Sequence, residues 1–255
     1  MPLNHDFQKA SMLKRISAYS FDLILLVCLV IALAAGLSGV LNYADYNDRV
    51  SQAYEEYGQM YGVDVSISWE EYDKLPEADK ARYDEALEAI NADEAVLRDY
   101  TIMVNLTLLI ATVSILLSYV ALEFVVPLLF GNGQTLGKKI FGIALMRTDG
   151  VKVTTFMMFV RTVLGKYTLE TMIPVLVVIM LLFQMVGMGG TLVLFALLAA
   201  QIACLIITKT NSAIHDLLAC TVAVDMASQQ IFDSPEALLE YKKRLHAEQA
   251  SRADY

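Results

Sequence analysis

Residues 15–41 read RISAYSFDLILLVCLVIALAAGLSGVL, and this stretch decides the fold class of the chain. From Phe21 to Leu41 it carries no charge other than Asp22. About 20 apolar residues are what a helix needs to cross the hydrocarbon of a bilayer, which is about 30 Å thick. The stretch therefore predicts a membrane-spanning helix. Because an ionisable group at the border of lipid is costly, we expect Asp22 to have a partner or a function.

The chain as a whole is strongly apolar. Of its 255 residues, 56% are hydrophobic and only 18% are charged, which is too apolar for a soluble domain of this size. Thr101–Phe130 contains Glu123 as its only charge. Thr171–Thr208 contains no charge and is long enough for two spans, with Gly187–Gly190 as the turn between them. We predict an all-α membrane protein with four transmembrane helices, at roughly 15–41, 101–130, 167–187 and 190–208.

The lysines and arginines that flank these spans set the expected orientation, because basic loops stay on the cytoplasmic side. Basic residues precede the first span, dominate the connection between the second and third, and follow the fourth. Residues 42–100 hold five basic and sixteen acidic residues, a net charge of −11. We therefore expect both termini in the cytoplasm and residues 42–100, the acidic insertion, on the outside.

The acidic insertion is long for a connection between two helices, and we predict that it is mostly helical. Ser68 and Glu71 have the spacing of a capping box. Pro76 can begin a helix whose apolar residues recur at helical spacing as far as Leu97. We interpret the insertion as a small extracytoplasmic helical cap, packed on itself and on the membrane surface. The alternative is an ectodomain that binds a partner or a ligand.

Residues 131–166 are predicted to form a basic cytoplasmic connection, which begins GNGQTLGKK. The stretch lacks the GxxxxGK[ST] spacing of a phosphate loop, so it does not predict nucleotide binding. Its glycines permit a tight exit from the membrane, with Lys138 and Lys139 at the lipid surface. Further on, Val151–Lys166 can form an interfacial helix that directs Arg161 and Lys166 toward the headgroups.

These assignments divide the chain into six segments. They are the N-terminus with the first helix (1–41), the acidic insertion (42–100), the second helix (101–130), the basic connection (131–166), the third and fourth helices (167–208), and a segment with a His-Asp pair and a cytoplasmic tail (209–255). In the tail, Ser234 is placed to cap a short amphipathic helix.

Three motifs occur in order along the chain. They are RISAYSFD at 15–22, GQTLGKKIFGI at 133–143 with Asp149-Gly150 and Arg161 after it, and HDLLACTVAV at 215–224. Together they resemble the signatures of the RDD family of bacterial membrane proteins, named for one arginine and two aspartates. Arg15, Asp22 and Asp216 match those three residues. The resemblance covers roughly residues 9–225 without the insertion. It implies a multi-pass protein of the bacterial plasma membrane, and some relatives are described as cation/proton antiporters.

The chain departs from the family pattern in three places. Cys220 stands where the family usually has glycine, and Lys209-Thr210-Asn211 is less basic than is usual before the His-Asp pair. The acidic insertion is longer than a typical family loop, so it could carry a property particular to a subgroup.

The ionisable residues near the spans form the candidate site. Arg15 and Asp22 are seven residues apart, which puts them on nearly one helix face but too far along the axis for an ideal pair. We expect Asp22 to meet a partner from another element: Arg161, Lys138 or His215. The candidate cation, proton or ionic-lock residues are Arg15, Asp22, Glu123, His215 and Asp216, with Lys138 and Arg161 as supporting bases.

Two further features lie close to these candidates. Pro127, four residues after Glu123, can bend the second helix and free a carbonyl. Lys166 and Glu170 have the i,i+4 spacing of a helical ion pair at the start of the third span.

All the candidate acids lie toward the cytoplasmic ends of the predicted spans, and two interpretations follow. One is a buried ionic lock that joins the helix ends and fixes their register. The other is a proton- or sodium-responsive pair of carboxylates, since burial raises the proton affinity of an acid. Carboxylates of cation transporters usually lie nearer the membrane midplane, which favours the lock.

Three classes of function can be compared. A small antiporter would exchange Na⁺ or Li⁺ for H⁺ at Asp22, Glu123 and Asp216, as a homo-oligomer because four helices enclose little volume. An accessory or assembly protein would hold a membrane-protein partner through the acidic insertion or a helix face. An enzyme would need a nucleophile and base motif, which we do not find, so we expect no enzymatic activity.

The three cysteines, Cys28, Cys204 and Cys220, form no CxxC pair and are expected to be small buried hydrophobes. We predict no cofactor and no metal site. The chain has no basic stripe away from the spans, so we predict no nucleic-acid partner. The expected partners are the lipid bilayer and, for an antiporter, monovalent cations and protons.

Overall fold

The computed structural model describes residues 8–182 and 186–253. The chain divides into two compact units. The first comprises the residues up to Val30 and those from Ile115 onward, and the second comprises Ile31–Ser114.

Within the described residues, four helices are long and apolar enough to cross a membrane. They are α1 (Met12–Val40), α5 (Glu94–Phe130), α7 (Thr155–Leu181) and α8 (Gly187–Ile207). The shorter helices are α2 (Tyr43–Tyr61), α3 (Trp69–Asp73), α4 (Glu77–Ala92), α6 (Leu136–Ile140), α9 (Ile214–Leu218) and α10 (Pro235–Ala253). The prediction of four apolar spans is confirmed.

The third span begins earlier than predicted. We expected an interfacial helix over 151–166 and a separate span from 167, but α7 runs through that boundary without a break. Its residues Val160–Met172 wind as a π-helix, with hydrogen bonds to the fifth residue instead of the fourth. Arg161 is only 2% exposed and Lys166 6%, so both point into the protein instead of toward headgroups, and that expectation was wrong.

The break between the third and fourth spans also differs from the prediction. We placed the turn at Gly187–Gly190, but α8 already begins at Gly187. Gly187 has a φ of +47°, which favours glycine, and this lets the chain enter the helix there. Gly190 lies inside α8, where a Cβ atom would come within 2.6 Å of Val186 Cγ2. Gly187 and Gly190 therefore belong to the start of the fourth span and do not form a turn between two spans.

A second π-helical stretch, Val120–Val125, lies in α5 just before Pro127. Proline has no N–H, so it cannot supply the α-helical hydrogen bond to the carbonyl of Glu123, four residues earlier. The buried Thr162 of α7 donates its hydroxyl to that carbonyl, at 2.9 Å. The prediction that Pro127 frees a carbonyl is consistent with this contact, which joins α5 to α7.

The all-α expectation missed a small antiparallel sheet. Strand β1 (Ile143–Arg147) pairs with β2 (Thr221–Asp225), so that Ile143 lies opposite Asp225 and Arg147 opposite Thr221. The first four residues of both strands are buried. The strands lie more than 70 residues apart in the chain, and buried strands show no clear alternation, so the sequence gives little local signal for the pair.

Other segments of the chain pair with the outer edges of this sheet. Lys9 forms a bridge with Val224, and the Asp225 N–H donates to the Gln8 carbonyl at 2.9 Å. On the other side Lys152 forms a bridge with Met146. Because unpaired strand edges invite association with other chains, these contacts protect the sheet.

The second unit has a core of its own, built from Val65, Ala86 and Ile90 with tyrosines packed around it. The capping box is formed: the Ser68 N–H donates to Glu71 Oε2 at 2.9 Å, and the Glu71 N–H donates to Ser68 Oγ. Helix α4 begins directly after Pro76. The prediction that residues 42–100 are mostly helical and the predictions of these two helix starts are confirmed.

The C-terminal helix α10 also follows the prediction. Ser234 accepts a hydrogen bond from the Ala237 N–H at 3.2 Å, which caps the first turn.

Candidate functional site

The first unit contains a cavity of about 290 Å³ at the N-terminal end of α1. Helices α6, α7, α8 and α9 and strands β1 and β2 contribute the rest of its wall. Six of the seven predicted site residues line it, namely Arg15, Asp22, Lys138, Arg161, His215 and Asp216. The seventh, Glu123, is buried and contacts Lys166, which lines the cavity. The structure therefore brings the predicted residues together.

Asp22 binds the start of α6. Its Oδ1 accepts the Gly137 N–H at 2.7 Å, and its Oδ2 accepts the hydroxyl of Thr135. Thr135 in turn caps α6, because its oxygen accepts the Lys138 N–H at 3.3 Å. Of the three expected partners only Lys138 is near, with its Nζ 4.0 Å from Asp22 Oδ2. Asp22 is thus held mainly by neutral donors.

Gly137 is required for this contact. A Cβ atom there would clash with the Ala18 carbonyl oxygen and lie 2.9 Å from Cγ of Asp22. A backbone N–H can come this close to the Asp22 carboxylate only because glycine has no side chain.

Asp216 forms a different kind of contact. Its Oδ1 accepts hydrogen bonds from the Arg161 guanidinium and, at 3.0 Å, from the hydroxyl of Thr221. Arg161 also donates to Thr221 Oγ1 at 3.0 Å. All three residues are almost fully buried. A buried acid that is paired with a buried base and has a further hydrogen bond is a structural lock whose disruption is costly.

Arg15 lies beside this pair without forming a close ion pair. Its Nη2 is 3.9 Å from Asp216 Oδ2, and its Nη1 donates to the Thr210 carbonyl at 3.3 Å. Both distances exceed those of strong charge-assisted hydrogen bonds.

His215 connects Arg161 to Glu170. Its Nε2 lies 3.0 Å from Arg161 Nη2, and its Nδ1 lies 2.7 Å from Glu170 Oε2. A guanidinium can only donate, so Nε2 must accept and the proton of the neutral ring is on Nδ1, where it donates to Glu170. Burial, together with the charge of Arg161, lowers the pKa of His215 well below its ordinary value. The ring is therefore neutral near pH 7.

Gly165 permits the close contact between α7 and α9. A Cβ atom at Gly165 would lie 2.5 Å from Cβ of His215. This glycine lets α9 approach the π-helical part of α7, which positions the imidazole between its two partners.

The expected i,i+4 pair of Lys166 with Glu170 was wrong. Lys166 Nζ lies 2.6 Å from Oε1 of Glu123, and Glu170 is bound to His215 instead. Lys166 pairs with Glu123 of α5 because a buried carboxylate needs a cation. Glu170 pairs with His215 of α9. Lys166 and Glu170 line the cavity but are not among the seven predicted site residues, since their spacing indicated only a local ion pair.

Lys138 occupies an unusual environment for a lysine. Its side chain is enclosed, and burial lowers its pKa to about 7, aided by the charges of Lys166 and Arg161 and opposed by those of Glu123 and Asp22. A lysine with this pKa can gain or lose its proton near neutral pH, which a lysine in water does not do.

The site thus contains acids of two kinds. Glu123 and Asp216 each contact a cation closely, through Lys166 and Arg161. Asp22 and Glu170 are held mainly by neutral donors. Of the second kind, Asp22 has its nearest ammonium, that of Lys138, 4.0 Å away, and Glu170 contacts the imidazole of His215.

The comparisons with known proteins gave one match. The family model described as RDD family matches residues 9–220. No curated protein and no solved structure matches the chain. The matched residues include every ionisable side chain of the cavity.

Proposed function

The chain belongs to the RDD family of membrane proteins, and on that premise we propose that it exchanges a monovalent cation for a proton at Asp22 and Lys138. The exchange needs no covalent chemistry, no catalytic residue and no cofactor. We place it in the plasma membrane of a bacterium, with both termini in the cytoplasm and residues 42–100 outside, as the distribution of basic residues indicates.

The observation that carries this proposal is the contact between Asp22 and Lys138. The two charged atoms are 4.0 Å apart, and the pKa of Lys138 is lowered to about 7. When Lys138 is protonated, its ammonium neutralises Asp22. When Na⁺ or Li⁺ binds Asp22, that neutralisation is no longer needed, and Lys138 releases its proton. One cation enters the site as one proton leaves, so the net charge of the site is unchanged.

The neighbours of Asp22 support a cation site. Its carboxylate lies against the hydroxyl of Thr135, and hard monovalent cations prefer oxygen ligands of this kind. In this proposal Glu123 and Asp216 do not carry the ion. They form the ionic lock that fixes α5, α7 and α9. The lock interpretation thus applies to Glu123 and Asp216, and the cation-binding interpretation applies to Asp22.

The site lies near one end of the spans, so the ion must still reach the opposite side. Four helices enclose little volume, and we propose that the chain works as a homo-oligomer whose subunits complete the path.

The test uses the purified full-length chain in liposomes that contain a pH-sensitive dye. Addition of Na⁺, Li⁺ or K⁺ outside should produce proton flux in the wild type. Asp22→Asn should abolish it, because the amide has no charge to bind the cation. Lys138→Arg should also abolish it, because a guanidinium keeps its proton. The matched control is Lys139→Arg, at an exposed neighbour whose Nζ lies 3.7 Å from the centre of the Phe130 ring. It should leave the flux unchanged.

Two outcomes would contradict the proposal. A well-folded wild type without flux for any cation, or a Lys138→Arg variant as active as the wild type, would exclude exchange at this pair.

A second candidate function is an accessory protein that holds a partner through the acidic insertion. What favours it is the separate core of the second unit and the net charge of −11 over residues 42–100. In that case deletion of residues 46–98 would abolish co-purification of a specific partner, and no cation would drive proton flux.

A further inference from the structure

Four basic side chains line the cavity, and three of them have an acid that compensates their charge. The pairs are Arg161 with Asp216, Lys166 with Glu123, and Lys138 with Asp22. The remaining acid, Glu170, is bound to the neutral His215. Arg15 is thus the one basic group of the cavity, among the described residues, that lacks an acid of its own.

The guanidinium of Arg15 has donors to spare. It carries five N–H groups, and in the described part of the chain its hydrogen bond is the one to the Thr210 carbonyl, at 3.3 Å. Asp216 is 3.9 Å away, and its charge is already neutralised by Arg161. A buried or half-buried cation with unused donors is costly, which points to an anionic ligand that is not part of the chain.

The wall of the cavity next to Arg15 is apolar and exposed. Met12, Ile16 and Tyr19 line the cavity, lie on the same face of α1 as Arg15, and are 48%, 56% and 61% exposed. Leu205 of α8 lines the cavity as well. Helices α1 and α8 are both candidate membrane spans. The exposed apolar face of α1 beside the cavity is therefore expected to contact lipid.

We infer that an anionic phospholipid binds here, with its phosphate on Arg15 and the upper part of an acyl chain along Ile16 and Tyr19, which follow Arg15 into the membrane. A guanidinium can hold two phosphate oxygens at once, and basic pockets between membrane helices suit lipid headgroups. A free phosphate ion would satisfy Arg15 but would leave the apolar wall uncovered. The lipid satisfies both, and the membrane supplies it at high local concentration.

The lipid phosphate is placed on Arg15 and the exchange at Asp22 and Lys138, which line the same cavity. The two proposals can be tested apart, because lipid binding can be measured without any ion gradient. Asp22→Asn should leave lipid binding intact, and a lipid-binding defect would not by itself decide whether exchange occurs.

The first experiment is native mass spectrometry of the purified full-length chain in detergent with added phosphatidylglycerol or phosphatidylcholine of equal chain length. The wild type should prefer phosphatidylglycerol. Arg15→Gln should weaken that binding about tenfold, which corresponds to about 1.4 kcal/mol. Arg15→Lys should weaken the binding less, because an ammonium keeps the charge but cannot form the bidentate contact with the phosphate.

Lys14→Gln is the matched control. Lys14 is the preceding residue, so the change removes the same charge at nearly the same depth. Its Nζ lies 2.5 Å from Asp225 Oδ2, away from the cavity, and it should bind lipid as the wild type does.

A second measurement uses the unmodified chain, in case Arg15→Gln fails to fold. Phosphatidylglycerol with a photoreactive group near the top of its acyl chain should label Ile16 and Tyr19. It should label Leu13 and Ile24 weakly, although both are exposed on another face of the same helix.

Three results would overturn the inference. They are equal affinity for the two lipids, equal losses in Arg15→Gln and Lys14→Gln, and uniform labelling around α1. If inorganic phosphate displaced the lipid as readily as short-chain phosphatidylglycerol does, the ligand of Arg15 would be a free anion and not a lipid.

Discussion

Asp22 and Asp216 carry the same charge, yet their surroundings give them different properties. Asp216 contacts a buried guanidinium, whereas Asp22 is held by a hydroxyl and a backbone N–H, with an amine 4.0 Å away. The two signature aspartates are therefore not interchangeable. Glycines contribute as much as charges here, because Gly137 and Gly165 are what permit the contacts of Asp22 and His215.

Gly137→Ala should destabilise the first unit. The added methyl group would clash with the Ala18 carbonyl and displace the N–H that binds Asp22, at a cost of about 2 kcal/mol or more. Thermal unfolding in detergent measures the loss. Gly36→Ala is the control, since a Cβ there meets nothing within 4 Å, and it should be neutral or slightly stabilising. Equal melting temperatures for both variants would contradict the argument.

Cys220→Gly should stabilise the protein by about 1 kcal/mol. Cys220 has a φ of +51°, a conformation that glycine adopts without strain and other residues adopt at a cost. This also explains why glycine suits the position in the family pattern. Cys220→Ala keeps the Cβ and should give no gain, so a rise in melting temperature for alanine as well would show that the sulfur, and not the backbone, was unfavourable.

His215 should make stability fall in mild acid. Its pKa in the folded protein lies well below 6.5, so the unfolded chain binds the proton first as the pH drops through that value. The unfolding free energy therefore decreases below about pH 6.5, by up to about 1.4 kcal/mol per pH unit. Melting temperatures between about pH 7.5 and about pH 5.5 measure the slope. His215→Gln should flatten it, whereas His246→Gln, on the exposed part of α10, should retain it.

At the scale of elements, the π-helical parts of α5 and α7 determine where the charged side chains point. Length and hydropathy predicted the apolar spans, because lipid imposes those on the sequence directly. They did not predict the winding of α7, which depends on Thr162, Gly165 and Arg161 meeting partners from other elements. The sheet was missed for the same reason, since each strand is recognised only beside the other.

Thr162→Val tests the contact between the two π-helical stretches. The change keeps the shape but removes the hydroxyl that binds the Glu123 carbonyl, and it should cost about 1–2 kcal/mol. In a Pro127→Ala background, where alanine supplies an N–H, the same change should cost less. Melting temperatures of the four variants measure this coupling. Thr168→Val, which removes a bond within α7, serves as the control, and additive losses from Thr162→Val and Pro127→Ala would contradict the explanation.

At the scale of the whole molecule, the chain divides into two units with separate cores. The sequence was sufficient to identify the candidate residues of the cavity, because three motifs and a few charges stand out from an apolar background. It was insufficient to pair them. Whether Lys166 meets Glu170 or Glu123, for instance, is decided by a residue more than 40 positions away.

Ile90→Ala should loosen the second unit alone. Ile90 is buried in that core, and its truncation should cost about 2–4 kcal/mol. Limited proteolysis should then cut within residues 43–98, while the phosphatidylglycerol preference of the first unit stays as in the wild type. Leu97→Ala, at an exposed position, should change neither property. A simultaneous loss of lipid preference would mean that the two units do not behave independently.

The positions of the paired segments along the chain also determine when the sheet can form during synthesis. Its two strands come from between the second and third spans and from after the fourth, and the segment around Lys9, before the first span, pairs with the edge of Thr221–Asp225. During synthesis the N-terminal segment therefore stays without this partner until nearly all of the residues up to Asp225 have left the ribosome. A nascent chain truncated before Thr221 lacks β2, so β1 and the N-terminal segment are left without the strand that both pair with.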